Sequence, residues 1–99
     1  MASRDEVMEV LRQVEDPELG MDIVDLGLLY DVEVAGPRVR VVYSLTSMGC
    51  PAGPLIEQDI ERVLSELPDV EDVQTELTFD PPWTPEKMSE DAKFILGIG

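Results

Sequence analysis

The sequence predicts an α+β fold, a two-layer α/β sandwich in which helices cover one face of a small, mixed three-stranded sheet. Three observations lead to this prediction. The predicted elements follow in the order helix, strand, strand, helix, strand, with a short C-terminal helix after them. Each element has a single apolar face, so one layer of helices on one layer of strands buries them all. The helix between the second and third strands is long enough for a right-handed crossover, which makes those two strands parallel.

Two helices are predicted from apolar residues that recur every three or four positions. The first covers 4–14, begins at a capping box formed by Ser3 and Glu6, and ends before Pro17. The second covers 51–66 and has a polar face opposite its apolar one. Their apolar residues are Val7, Val10, Leu11 and Val14 in the first helix, and Ile56, Ile60, Val63, Leu64 and Leu67 in the second.

Three strands are predicted from alternating apolar and polar residues. The first two, 28–34 and 38–46, form an antiparallel hairpin, and the third covers 70–79. The residues expected to face inward are Leu28, Tyr30, Val32 and Val34, then Val39, Val41, Tyr43 and Leu45, then Val73, Thr75, Leu77 and Phe79. The segment before the hairpin is expected to be an ordered loop with one helical turn or a short strand at Ile23–Val24.

The C-terminal segment contains the only tryptophan of the chain, Trp83. We expect this ring to pack the tail onto the core, and the alternative is an aromatic residue that faces a partner. Thr84 and Pro85 suit the first positions of the last helix, which Gly97 ends. The side of that helix expected to pack inward carries Met88, Ala92 and Ile95.

Composition limits the classes of function. The length of 99 residues fits one domain, 1–99. The net charge of −15 opposes binding to nucleic acid or to an anionic membrane. The single cysteine allows no internal disulfide and, with no secretory signal or membrane-spanning run, suggests the cytoplasm. The absence of histidine excludes Ser-His-Asp and Cys-His catalysis and every histidine-containing metal site.

The cysteine, Cys50, lies where strand character gives way to helix character. Pro51 suits the first helical position, which puts Cys50 at or beside the helix N-terminus. The positive end of the helix dipole favours a thiolate and so lowers the pKa of the thiol below its free value of about 8.5. The sequence leaves open a reactive or metal-binding cysteine and a buried cysteine that acts as a small apolar residue.

Acidic residues bear on that choice. Thr46 ends the second strand, and Asp16 and Glu18 follow the first helix, so an antiparallel pair of helices would bring these carboxylates beside Cys50. Carboxylates raise a thiol pKa, which suits a free nucleophile poorly. A thiolate with carboxylates suits a cation such as Fe²⁺ or Zn²⁺. One chain would still be short of ligands, so we expect transient handling of a metal or cluster rather than permanent storage.

Four ordered motifs give the chain a resemblance to a known family. They are Asp16-Pro17-Glu18, then Asp22-Ile23-Val24-Asp25-Leu26-Gly27-Leu28-Leu29-Tyr30, then Leu45-Thr46-Ser47-Met48-Gly49-Cys50-Pro51, then Pro81-Pro82-Trp83-Thr84-Pro85. Together they resemble the metal–sulfur (iron–sulfur) cluster assembly domain of SufT-like proteins, of the eukaryotic cytosolic iron–sulfur targeting factor and of the phenylacetate-degradation D protein. The resemblance implies a two-layer sandwich and a role in cluster assembly or delivery. The residues that match the family's site are Asp16, Glu18, Thr46 and Cys50. Phenylacetate-type members of this family usually carry a cysteine-rich extension, which is absent from this sequence up to Gly99. This difference favours a stand-alone maturation factor over a phenylacetate role.

Three functions follow from this reading. The leading one is a non-enzymatic iron–sulfur maturation factor that binds iron or a cluster transiently through Cys50, with assembly proteins and client apo-proteins as partners and a homodimer as one way to pair two thiolates. The second is an adaptor without metal, which recognises a client through its acidic surface and the Trp83 segment. The third is a thiol-dependent enzyme or carrier with Cys50 as nucleophile and Asp16 as base.

Overall fold

The computed structural model describes residues 3–46 and 53–97. The first helix, α1, spans Arg4–Leu11, and the Ser3 hydroxyl accepts a hydrogen bond from the Glu6 amide at 3.1 Å. The helix is one turn shorter than predicted. After Leu11 the amides of Gln13 and Val14 bond three residues back, at 3.0 and 3.1 Å. This tightening turns the chain out of the helix. Val14 remains buried, so it faces inward although it is not part of the helix.

The segment before the hairpin is a small antiparallel ribbon. Its strands are β1, Glu15–Asp16, and β2, Met21–Asp22. The predicted short strand at Ile23–Val24 therefore lies two residues earlier. Gly20 makes the intervening turn possible, because its φ of 70° lies in the left-handed region.

The main sheet has the predicted mixed topology. Strand β3, Leu29–Ala35, pairs antiparallel with β4, Arg38–Tyr43. The second helix, α2, spans Gly53–Ser65 and connects β4 to β5, Asp72–Leu77, which runs parallel to β4. The strand order is β3-β4-β5, so β4 is the central strand, and its parallel pairing with β5 confirms the crossover prediction.

The core lies between this sheet and the two helices, and α1 packs on both α2 and β3. The predicted apolar residues of β4 and α2 are confirmed as buried: Val39, Val41, Tyr43 and Leu45, with Ile56, Ile60, Val63 and Leu64. Strand β5 is less covered by the helices than β4 is. Its last residue, Leu77, was expected to face inward but is 44% exposed. Strand β5 lies at the edge of the sheet and pairs with β4. Within β5, Val73 and Thr75 are half-buried and the other side chains are exposed.

The tail packs back on the ribbon side of the molecule. Trp83 is half-buried, and its Nε1 donates to the Leu26 carbonyl oxygen at 2.7 Å, which confirms the core-packing prediction. The residues from Thr84 form only a 3₁₀ turn, Pro85–Lys87. No helix in the described ranges is both long and apolar enough to cross a membrane.

The last helix, α3, spans Glu90–Leu96 and begins at Ser89, whose hydroxyl accepts from the Ala92 amide at 3.1 Å. Met88 and Ala92 are buried as predicted. The prediction for Ile95 is wrong, since this side chain is 68% exposed. Ala92 and the half-buried Leu96, four residues apart, form the inward side of the helix, and Ile95 lies outside it.

Candidate functional site

The segment that contains Cys50 lies outside the described residues, between Thr46 and Gly53. On its strand side, the chain leaves β4 through Ser44, Leu45 and Thr46. The Ser44 amide donates to the Leu28 carbonyl at 2.8 Å, which extends the hairpin pairing beyond Tyr43. On its helix side, a side chain at Gly53 would approach Leu45 at 3.1 Å. Gly53, which begins α2, therefore lies close to Leu45 at the end of the preceding strand.

Backbone hydrogen bonds connect this end of β4 to the ribbon. Leu28 donates to the Ile23 carbonyl at 3.0 Å, and Ile23 donates to the Val14 carbonyl at 2.9 Å. Val14 directly precedes β1, which carries Asp16. The strand that leads into the Cys50 segment and the strand that carries Asp16 thus belong to one continuous set of paired backbones.

Asp16 is the most unusual side chain of this region. It is completely buried, and its Oδ1 accepts a hydrogen bond from the Glu18 amide at 2.8 Å. Its carbonyl oxygen accepts from Gly20 at 2.7 Å, so the residue also closes the turn of the ribbon. Its second oxygen, Oδ2, is buried and has no hydrogen-bond partner among the described residues. A buried carboxylate oxygen without a donor is costly, so it calls for a chemical explanation.

The other predicted site residues differ from Asp16 in their surroundings. The Glu18 side chain is exposed, and its backbone amide is what contacts Asp16. Thr46 is half-buried. The prediction that Asp16, Glu18, Thr46 and Cys50 share one site stays a prediction, because Cys50 is outside the described ranges.

Ser44 is a buried polar residue that the sequence reasoning missed. Its side chain is fully buried, and its hydroxyl donates a long hydrogen bond of 3.4 Å to the Leu45 carbonyl oxygen. Alternation predicted that it would face away from the core. Three consecutive buried residues, Tyr43 to Leu45, show instead that both faces of the strand are covered at this end.

A second set of carboxylates lies on β2 and the loop after it. Asp22 Oδ1 accepts from the Asp25 amide at 2.9 Å, and Asp25 Oδ1 accepts from Arg12 at 3.3 Å. Burial raises the pKa of Asp22 above its usual value. The hydrogen bond from the Asp25 amide opposes this shift, and the Asp25 carboxylate adds to it. The Asp25 carbonyl also accepts from the Ser89 amide at 2.8 Å, which fastens α3 to this loop. These carboxylates organise the backbone.

Gly27 permits the close approach of the tail to the same loop. Its φ is 74°, and a Cβ there would overlap the Lys87 carbonyl oxygen. The motif from Asp22 to Gly27 therefore has a structural role that its spacing alone did not disclose. Within 3–46 and 53–97, no three acidic or cysteine side chains group as a metal site.

Comparison with known proteins gives these features a context. The family model described as "Iron-sulfur cluster assembly protein" matches residues 4–77. The "Fe-S protein maturation auxiliary factor YitW" of Bacillus subtilis (strain 168) is 46% identical over 98 residues, which are 98% of this chain and 96% of the relative. The "Fe-S protein maturation auxiliary factor SufT" of Staphylococcus aureus (strain USA300) is 49% identical over 86 residues, which are 86% of this chain and 98% of the relative.

A solved structure agrees with these sequence relatives. The crystal structure of a domain of unknown function, DUF59, from Bacillus anthracis superposes with a TM-score of 0.91 at 39% identity, over 96% of this chain and 92% of the other. The family model covers most of the chain, and both sequence relatives cover more than two thirds of it. The chain therefore belongs to the iron–sulfur cluster assembly protein family.

Proposed function

We propose that this protein is a non-enzymatic maturation factor that helps to build or deliver iron–sulfur clusters for client proteins. Iron or the cluster is its cargo, and the Cys50 thiolate is the ligand that this chain supplies. The proposal is supported by family membership and by two relatives, 46% and 49% identical, that are named maturation auxiliary factors. We place this activity in the cytoplasm, since a lone cysteine suits a reducing compartment.

The observation that carries the proposed site is the buried Oδ2 of Asp16, which has no hydrogen-bond partner in the described part of the chain. Leaving such an oxygen without a donor or cation costs about 1–3 kcal/mol. The carboxylate is held rigidly, because its other oxygen is fixed by the Glu18 amide. A fixed, desolvated carboxylate is suited to orient a donor or to face a cation that a nearby thiolate binds.

The ligand count explains why we propose transfer rather than storage. Iron–sulfur clusters are usually held by four cysteine thiolates, and this chain has one. The remaining ligands must come from a second copy of the chain, a small thiol or a partner protein. We propose that Thr46 hydrogen-bonds within the same site and that exposed Glu18 lies at its edge. A cargo held by few ligands from the chain can pass to a client that supplies more.

Anaerobic reconstitution with ferrous iron and sulfide tests the metal-binding part of this proposal. We expect the intact protein to gain visible absorbance that is lost in Cys50→Ala and strongly reduced in Asp16→Asn. The matched control is Asp22→Asn, which makes the same substitution at the half-buried carboxylate of the paired strand and should retain the absorbance. Absorbance that survives in Cys50→Ala would contradict the assignment of the thiolate.

Client maturation in cells separates cargo handling from an adaptor role. We expect Cys50→Ala to abolish the activity of an iron–sulfur client enzyme in a strain that depends on this factor. If Cys50→Ala supports full maturation, the adaptor function replaces our proposal. In that case recognition by Trp83 would still be disfavoured, since its ring packs inward and its N–H is bonded to Leu26.

A further inference from the structure

The outer side of α3 exposes two large apolar side chains next to each other. Phe94 is 87% exposed and Ile95 is 68% exposed, whereas Ala92 on the same helix is fully buried. The helix is held from its inner side, by Ala92 and by the bond from the Ser89 amide to Asp25. Phe94 and Ile95 therefore contribute little to holding the helix in place. We call these two residues the apolar ridge.

A depression of about 390 Å³ lies beside the apolar ridge. Ile95 forms part of its wall, and Met21 of the β1–β2 ribbon adds a second apolar side chain. The carboxylates of Glu15 and Asp22, which are cross-strand partners in the ribbon, also line it. The ridge and the depression form one surface in which apolar groups adjoin negative charge.

The cations near this surface are already engaged. Arg12 lines the depression and makes two ion pairs. Its Nη1 lies 3.3 Å from Oδ1 of Asp25, and its Nε lies 3.9 Å from Oε2 of Glu9. Lys93 of α3 lies 3.7 Å from Glu90. The acidic residues of the depression and α3 without an ion pair in the described part of the chain are Glu15, Asp22 and Asp91. The local excess of negative charge agrees with the net charge of −15.

We infer that the apolar ridge and the acidic depression form a docking surface for a partner-protein segment that carries apolar side chains flanked by lysine or arginine. Large apolar side chains supply most of the binding energy at interface centres, and complementary charge around them selects the partner. A second copy of this chain is a poorer occupant, because it would bring the same acidic rim and another net charge of −15. The inference is independent of the proposed cargo function, since it involves neither Cys50 nor Asp16.

A designed peptide tests this surface on the full chain. The probe is a short synthetic amphipathic helix made only of leucine and lysine. We expect it to bind the wild-type protein, and we expect Phe94→Ser/Ile95→Ser to weaken binding by about tenfold or more. The matched control is Leu55→Ser, which removes a 56% exposed leucine from α2 and should change binding by less than about twofold. Both variants should unfold at the wild-type temperature within a few degrees, because the altered side chains are exposed.

Two further measurements make the outcome decisive. A peptide with serine in place of leucine and the same charge should bind at least about tenfold more weakly, which separates docking from general attraction to an acidic protein. Amide chemical-shift changes should be concentrated on α3 and the β1–β2 ribbon. The inference is overturned if the two variants bind the peptide equally well. It is also overturned if sedimentation shows a wild-type dimer that Phe94→Ser/Ile95→Ser abolishes, because a second copy would then be the occupant.

Discussion

Asp16 and Asp22 lie on the two paired strands of one ribbon, yet their surroundings are opposite. Asp16 is completely buried and has one oxygen without a partner among the described residues. Asp22 is half-buried, accepts from the Asp25 amide, and lies beside the Arg12–Asp25 ion pair. Neighbouring carboxylates on one ribbon are thus used in two ways, one turned into the core and one turned towards the surface.

The difference distinguishes a carboxylate that stabilises the backbone from one that is a candidate for binding. A partly solvated carboxylate that bonds to a backbone amide stabilises a loop in the ordinary way. A buried carboxylate oxygen without a partner in the described part of the chain is instead free to face a group outside that part, from this chain or another molecule. The proposed cargo site lies on the Asp16 side of the ribbon, whereas the contacts with the tail and the proposed docking surface lie on the Asp22 side.

The largest expected effect concerns the contact between the C-terminal tail and Gly27, in the loop that follows Asp22. Gly27→Ala should lower the free energy of unfolding by about 3 kcal/mol or more, because the new Cβ overlaps the Lys87 carbonyl and φ is positive. Urea denaturation measures this loss. Gly36→Ala is the control, and about 1 kcal/mol is expected there. Its φ is also positive, but among the described residues no atom beyond its chain neighbours lies within 4 Å of the added Cβ. Equal losses in the two variants would show that the tail does not pack closely at Gly27.

A smaller effect is expected at Asp16, where stability and function should separate. Asp16→Ala removes the acceptor of the Glu18 amide but also removes the unpartnered Oδ2, so the two effects oppose each other and the unfolding free energy should change by about 1 kcal/mol or less. Asp16→Asn keeps an acceptor oxygen and should stay within about 0.5 kcal/mol of wild type, although it impairs reconstitution. Urea denaturation and iron-dependent absorbance on the same samples check both parts. A variant Asp16→Asn that reconstitutes normally would make Asp16 a purely structural residue.

The fold was predictable from the sequence because its elements obey simple periodicity. The crossover made β4 and β5 parallel, and the apolar residues of α2 and β4 are buried as predicted. The errors are at element ends. Local hydrogen bonds three residues back ended α1 early, and the Ser89 cap started α3 later than Pro85 suggested. Caps and turns depend on a few atoms, which a pattern of hydrophobicity does not resolve.

The residues of the candidate site stay a prediction, and the surroundings of Asp16 and Glu18 could not be predicted from the sequence. The resemblance selected Asp16 and Glu18 alike, whereas the structure buries one and exposes the other. Turn geometry decides this, because Asp16 bonds to the amide of Glu18 and directs the next side chains outward. Ile95 was expected to face inward because it lies three residues after Ala92, whereas Leu96, four residues after Ala92, is the side chain that packs on the core. The role of Cys50 stays a prediction.

The smallest expected effect is a dependence of stability on pH that arises at Asp22. Burial raises the pKa of this carboxyl in the folded protein. The bond from the Asp25 amide and the charge of Arg12 oppose the shift, and the Asp25 carboxylate adds to it. The folded state therefore holds the proton more tightly than the unfolded chain does. Stability from this group is fully present below the unfolded pKa of about 3.8 and is lost as the pH rises through the folded pKa.

Asp22→Asn removes this titration while keeping an oxygen that can accept from the Asp25 amide. The variant should therefore gain stability relative to wild type as the pH rises from 3 to 7, as measured by urea denaturation at several values in that range. Glu15→Gln, on the cross-strand partner, is the control for a general loss of negative charge. A gain that is equal in the two variants would trace the effect to net charge. A gain in Asp22→Asn alone would trace it to the partial burial that distinguishes this carboxylate from exposed ones.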